Sequence, residues 1–270
     1  MGTFQLTDYN YYTQEANRRY FSVSLFKSFN GTWAHHGCEF AAMKTLSGEW
    51  TEPTNPAMMV GSYVDAYVEG TLDQFKRNHP EIYRRDGGLR AEFVKANQII
   101  QRMTSDRLFM TYLSGKKQQI MVGKLFGTEW KIKMDSYVPG VCITDLKVMK
   151  SISEVHWVKD LGYIDTLRYW NYDVQGAIYQ EIVYQNTGQR LPFYIAAATK
   201  ENEPDIRLVQ ITQNYLDEAM SLVESKMPRI LRVRNGEEEP DRCEACDCCR
   251  RYRVLSAPIS LDDLTSQIAV

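Results

Sequence analysis

The sequence predicts an α/β fold, a mixed central β-sheet flanked by helices, and three observations carry that expectation. Amphipathic helical patterns fill the first part of the chain. Alternating and β-branched segments follow at 118–148. A helical stretch then separates these strands from a further apolar strand at 193–199.

Taken in order, 22–46 reads as helix in two pieces, broken at Asn30-Gly31 and at Gly37, with Ser22 or Ser24 as N-cap. A helix begins near Pro56 and runs over 56–68, with Met58, Met59, Tyr63, Ala66 and Tyr67 along one side. Residues 71–85 read as short helix and loop, and 89–105 as an amphipathic helix. Strands at 118–126, 128–138 and 141–148 are expected to form a meander. Residues 157–185 read as mostly helical, ending toward Thr187-Gly188. Strands at 193–199 and 206–211 and a long helix at 215–233, kinked or broken at Pro228, complete the reading.

Composition bounds the function. The 270 residues suffice for one large α/β domain over 1–270, and no Gly/Ser- or Pro-rich linker divides it. Without a long apolar run or a basic, apolar, small-residue leader, the expected location is cytoplasmic, with no membrane partner. A net charge of −2 speaks against indiscriminate coating of nucleic acid but permits a local basic track. Candidates are Arg84 and Arg85, Lys116 and Lys117, Arg229, Arg232 and Arg234, and Arg250, Arg251 and Arg253. No nucleophile elbow, phosphate-binding loop or dinucleotide fingerprint appears.

The chemistry concentrates at Asp135 and at Asp145-Leu146-Lys147, which flank a Pro139-Gly140 turn. Side chains alternate along a strand, so Asp145 and Lys147 share a face. Asp135 joins that face only if the turn holds an odd number of residues or a bulge, for which Gly140 supplies the left-handed position. Paired carboxylates repel and are relieved by a raised pKa or a bound cation. Mg²⁺ or Mn²⁺ held by Asp135, Asp145 and the Leu146 carbonyl, with Lys147 to orient or deprotonate water, is the equipment of a metal-dependent nuclease.

With Gln175-Gly176-Ala177-Ile178-Tyr179, these residues make the chain resemble the PD-(D/E)xK nuclease superfamily, nearest its phage and prophage RecE-like (exodeoxyribonuclease VIII-like) branch. Ser22-Val23-Ser24, Cys38-Glu39 and the Val60 to Tyr67 segment fall in the same order as in that branch. The resemblance implies a restriction-endonuclease-like core acting on DNA. It also implies 5′-to-3′ digestion of duplex ends in recombination, a ring-like homo-oligomer and a single-strand annealing protein as partner. Many relatives place histidine four residues after the glycine where this chain has Asp65, so Asp65 is either the replacement metal ligand or a polar residue on an amphipathic helix. Gln175 and Tyr179, one helical turn apart, are expected beside the active centre. A DNA-binding or scaffold protein without catalysis, and a single-strand or structure-specific nuclease, are the alternative readings.

Cys243, Cys246, Cys248 and Cys249 pack four thiols into seven residues. The resemblance implies a clasp in which Cys38 joins Cys243, Cys246 and Cys249 around a [4Fe–4S] cluster; structural Zn²⁺, with Cys248 as an alternate ligand, or free thiols are the other readings. Cys142 reads as a small buried residue, and His35 and His36 as cover for a helix end.

Overall fold

The structure, a computed structural model, describes residues 4–53 and 56–262. A short helix α1 (Gln14–Arg19) precedes α2 (Val23–Asn30) and α3 (Glu39–Ser47). Ser22 caps α2, its hydroxyl accepting from the Leu25 N–H at 3.2 Å, and Gly31 ends the helix. Helices α4 (Pro56–Glu69), α5 (Leu72–Asn78), α6 (Ala91–Thr104) and α7 (Arg107–Tyr112) follow. Next come β1 (Gln119–Leu125), β2 (Thr128–Met134), β3 (Ser136–Val138) and β4 (Cys142–Met149). A hairpin of β5 (Val155–Val158) and β6 (Gly162–Asp165) leads to α8 (Thr166–Tyr169) and α9 (Tyr172–Thr187). The chain closes with β7 (Phe193–Thr199), β8 (Ile206–Ile211), α10 (Gln213–Arg234) and α11 (Asp247–Arg251).

The central sheet has the order β3-β4-β7-β8, with β4 and β7 parallel and the outer pairs antiparallel. A parallel neighbour needs a crossover, and α9 lies on it. This is the mixed, helix-flanked sheet that the sequence predicts. Strand β7 is buried on both faces: Ile195 and Ala197 enter the core formed with α9 and α10, while Ala196 and Ala198 enter the core formed with α4 and α6. Such a strand reads as a continuous apolar run, as 193–199 does.

Three expectations are corrected. The meander does not form, because the 128–138 segment breaks at Asp135: β1 and β2 make a separate ribbon and only β3 joins the central sheet. The 157–185 segment is helical only from Thr166 on, since Asp160 and Gly162, both at positive φ, turn a hairpin at its start that pairs Trp157 with Tyr163. Pro228 does not break α10, which runs unbroken from Gln213 to Arg234. Helices α1 and α7, six residues each, were too short to show a period in the sequence.

Gly176 sets the approach of α9 to the sheet. A Cβ there would lie 2.5 Å from Phe193 Cδ1 and 2.8 Å from Leu216 Cδ2, so only a residue without a side chain lets the helix sit this close. Gly176→Val should therefore cost about 1–3 kcal/mol by overpacking, read from urea unfolding. Gly61→Ala meets nothing within 4 Å in α4 and should instead stabilise by about 0.5–1 kcal/mol. Equal responses at the two positions would show that Gly176 is not a packing constraint.

Candidate active site

The β3–β4 register pairs Ser136 with Thr144 and Val138 with Cys142, leaving the three-residue loop Pro139-Gly140-Val141. This is the odd loop that the carboxylates require, and Gly140 adopts φ 73° within it. One further step of the register sets Asp135 opposite Asp145. There the strand pairing ends, and Asp135 Oδ2 accepts the Leu146 N–H at 2.9 Å in place of a strand carbonyl.

Asp145 is buried on the α9 side of β4. Its Oδ1 accepts from Gln175 Nε2 at 2.6 Å, and its Oδ2 lies 2.5 Å from Lys147 Nζ. That ion-pair contact lacks hydrogen-bond geometry, so Oδ2 is a buried oxygen with no hydrogen-bond donor. The Lys147 ammonium also stands 5.0 Å from the centre of the Tyr172 ring, and Lys27 Nζ stands 5.0 Å from the same ring.

A cleft of about 440 Å³ opens beside these groups, lined by Asp65 and Glu69 of α4, by Gln118, Lys133 and Asp135, and by Tyr12. Gln118 Nε2 donates to Glu69 Oε1 at 2.7 Å and to Asp135 Oδ1 at 3.4 Å, bridging the helix to the hairpin. No three carboxylates among the described residues lie within 4.8 Å of one another.

Charge in this site is unbalanced. Burial and the neighbouring Asp145 carboxylate push Asp135 up to about 7, against the pull of Lys147. Burial, then Asp135, holds Asp65 well above the carboxylate range. Burial pulls the Lys147 pKa down, but Asp145, Tyr172 and Asp135 outweigh it and raise it. Lys27 goes the other way, lowered to about 7 by burial and by Lys147.

The structure thus brings Asp65, Asp135, Asp145, Lys147 and Gln175 together as expected. Leu146 contributes its N–H, while its side chain packs into the core against α4 and α6. Tyr179 is near but directed elsewhere: its hydroxyl donates to the Lys133 carbonyl at 3.0 Å, supporting the strand that delivers Asp135. Sequence reading missed Glu69, Gln118, Lys27 and Tyr172. Of these, Glu69 had a signal, being four residues after Asp65 on the same helical face.

Much of the expected basic track is spent on structure. Arg229 pairs with Glu39 at 2.9 Å and with Glu238, which also takes Arg232. Arg250 pairs with Asp247 and Arg253 with Glu244, both at about the rim of the cysteine segment. Lys117 is half-buried, and its neighbours Asp135 and Glu69 place it at the cleft.

The sulfurs of Cys38, Cys243, Cys246 and Cys249 all lie within 4.8 Å of one another, with Cys38 and Cys249 3.5 Å apart. Backbone N–H groups of Ala41, Cys246 and Cys249 donate to the sulfurs of Cys38, Cys243 and Cys246 at 3.3–3.4 Å. Against burial, which raises it, such donors lower the Cys243 thiol to about 7, whereas burial pushes the Cys246 thiol up. Cys248 is buried outside this set, and Cys142 is buried on its strand beside Thr144.

Residues 22–252 match the family described as the PDDEXK-like domain of unknown function (DUF3799). The chain belongs to this family. It is a member of the PD-(D/E)xK superfamily with a restriction-endonuclease-like fold. A crystal structure of a presumed exonuclease from Eubacterium rectale, at 2.19 Å resolution, is 60% identical with a TM-score of 0.95, covering 98% of this chain and 99% of that one. No match is found among curated proteins. These likenesses make the chain nuclease-like, and no helix among the described residues is long and apolar enough to cross a membrane.

The raised Asp135 pKa has a stability consequence in chelator. Because the folded state holds this proton more tightly than the unfolded state, its contribution is present below the ordinary value of 3.8 and is lost as pH rises through about 7. Asp135→Asn should remove that loss, making metal-free protein relatively more stable at neutral pH by up to about 4 kcal/mol. Thermal unfolding of parent and variant across pH in EDTA measures it. Parallel profiles would show that Asp135 carries no such burden.

Proposed function

We propose that this chain is a metal-dependent deoxyribonuclease, one nuclease domain over 1–270, whose active centre is Asp135, Asp145 and Lys147. The observation that carries this reading is the register that opposes two carboxylates across one hairpin, with Lys147 2.5 Å from Asp145. The residues fit a divalent cation: all donors are hard oxygens, and Asp145 Oδ2 is buried without a hydrogen-bond donor. Asp135 and Asp145, with the Leu146 carbonyl and Asp65, would hold Mg²⁺ or Mn²⁺. The ion when bound supplies positive charge beside the scissile phosphate.

The protein's own groups do the positioning. Gln175 fixes one oxygen of Asp145 and so orients the carboxylate; Tyr179 holds the strand before Asp135. Lys147 carries a charge on the face where the phosphate arrives and orients the attacking water. Exonucleolytic action is supported by the 60% identity to a presumed exonuclease. Resection of duplex ends in the 5′-to-3′ direction, a homo-oligomer, a single-strand annealing partner and a phage or prophage role in a bacterial cytoplasm rest on the RecE-like resemblance. Release of mononucleotides from 5′-labelled duplex supports that polarity, and internal nicking of closed circles opposes it.

Magnesium or manganese titration of DNA degradation tests the chemistry. Asp145→Ala should abolish degradation with the fold intact, and Lys147→Ala should lose about 10²–10⁴-fold in rate while keeping metal affinity. Asp65→Ala should weaken metal affinity more than Asp65→His, since histidine also ligates manganese. Normal turnover by the Asp145 variant sinks the assignment.

We further propose that Cys38, Cys243, Cys246 and Cys249 hold a structural metal centre that joins the two ends of the fold. Sulfurs within 4.8 Å of one another suit one tetrahedral ion, in which thiolates about 2.3 Å from zinc sit roughly 3.8 Å apart. A [4Fe–4S] cluster needs the same four to open outward. Protein purified anaerobically should contain one zinc and be colourless on the first reading, and be brown on the second. Replacing any of the four by Ser should lower thermal stability, whereas Cys142→Ser should leave the metal content unchanged; absence of any metal overturns the clasp.

A further inference from the structure

A second cavity, of about 540 Å³, lies between the β5–β6 hairpin and the loop joining α2 to α3. Two tryptophans line it from opposite elements, Trp33 of the loop at 44% exposure and Trp157 of the hairpin at 68%. Two large exposed aromatic side chains lining one cavity make a candidate binding surface. Lys159 and Lys226 also line it, neither having an ion-pair partner among the described residues, against the single carboxylate of Asp160. Asn171 forms part of the wall, 2% exposed, with its Oδ1 lacking any hydrogen-bond partner.

The backbone segments that carry the two rings are held in place. The 31–37 loop is closed by a bridge between Gly31 and His36, and a Cβ on Gly31 or Gly37 would come within 2.3 Å of backbone atoms. Ala34 N–H donates to the Tyr169 carbonyl at 3.1 Å. On the hairpin, the Trp157 ring meets its cross-strand partner Tyr163 at 5.2 Å, and His156 stacks on Tyr169 at 3.8 Å. Preorganised aromatic surfaces of this kind bind without a large ordering cost.

The cavity adjoins the active site through consecutive residues. Asn171 of its wall precedes Tyr172, whose ring carries both Lys147 and Lys27 at 5.0 Å. Two aromatic surfaces and two ammonium groups on one cavity together match a nucleotide: a base to stack and a phosphate to pair. The volume is within the usual range for a small-molecule-sized ligand, about 300–1,000 Å³. We propose that this cavity binds an unpaired nucleotide of the DNA strand that runs through the active site, stacking its base against Trp33 and Trp157. The proposal rests on the nuclease reading above, and it makes the protein a reader of single-stranded character beside the cut.

The test is binding of a short fluorescein-labelled single-stranded oligonucleotide, followed by anisotropy with EDTA present to stop cleavage. Trp33→Ala and Trp157→Ala should each weaken binding roughly 5- to 100-fold. Lys226→Gln, an exposed change that leaves the aromatic faces in place, should reduce the slope of log affinity against log salt by about 0.7. Tyr184→Ala, an exposed tyrosine of α9 outside the cavity, should bind as the parent does. Parent-like affinity and salt slope in the cavity variants overturn the proposal while leaving the nuclease reading intact. A changed oligomeric state by light scattering, with DNA binding unaltered, overturns it too and makes the face a protein interface. If the parent binds no oligonucleotide in EDTA, the proposal falls, while degradation of DNA with magnesium decides the nuclease reading separately.

Discussion

Asp135 accepting the Leu146 N–H is the contact on which the arrangement of the site depends. A strand at that point would offer a carbonyl, and the segment would continue as one long hairpin. The side chain takes over the carbonyl's role, so the backbone is free to turn, and the β1–β2 ribbon separates from the central sheet. The same bond pins a carboxylate oxygen against β4, opposite Asp145. Geometry that looks like a defect in the sheet is therefore what opens the cleft between the ribbon and α4.

The cost of that arrangement is electrostatic. Asp65, Glu69 and Asp135 line a cleft beside Asp145, and Lys117, Lys133 and Lys147 neutralise this group only in part, Lys133 being also engaged by Asp8 at 3.3 Å. Raised carboxyl pKa values at Asp65 and Asp135 are the response of the protein alone. Clustering of perturbed carboxyls in a polar cleft is the signature of a site built for a charge it does not itself contain. Around it, the buried amide of Gln175 and the packed Gly176 keep α9 close enough that Asp145 cannot swing away.

Most of this was legible in the sequence, for identifiable reasons. Alternation placed Asp145 and Lys147 on one face, and the need for an odd loop at Pro139-Gly140-Val141 was a parity condition that β-structure must satisfy. The i, i+4 spacing of Gln175 and Tyr179 put them on one face, but could not show that Tyr179 would be spent on a backbone carbonyl. The break at Asp135 was not legible, because it arises from a side chain replacing a backbone acceptor, which no periodicity records. The β5–β6 hairpin was lost to a helical reading of 157–185, although Asp160-Leu161-Gly162 was a turn signal. Lys27 and Tyr172 reach the site from segments with no local pattern of function, and only the tertiary fold unites them.

The cysteine clasp and the site are not independent parts. Cys38, which caps α3 and joins the sulfur set, follows directly on the 31–37 loop, and its N–H donates to the Ser28 carbonyl of α2 at 3.0 Å. Lys27 of that helix donates to the Trp170 carbonyl at 2.7 Å, one residue before the Asn171 wall. The sulfur set, α2 with Lys27 and the loop that carries Trp33 are thus joined by one run of contacts. A crosslink between the chain ends narrows the unfolded ensemble by closing a long loop. A metal held by the four sulfurs would also fix the segment from Cys38 back through α2, which carries Lys27 to the Tyr172 ring and leads into the loop of Trp33.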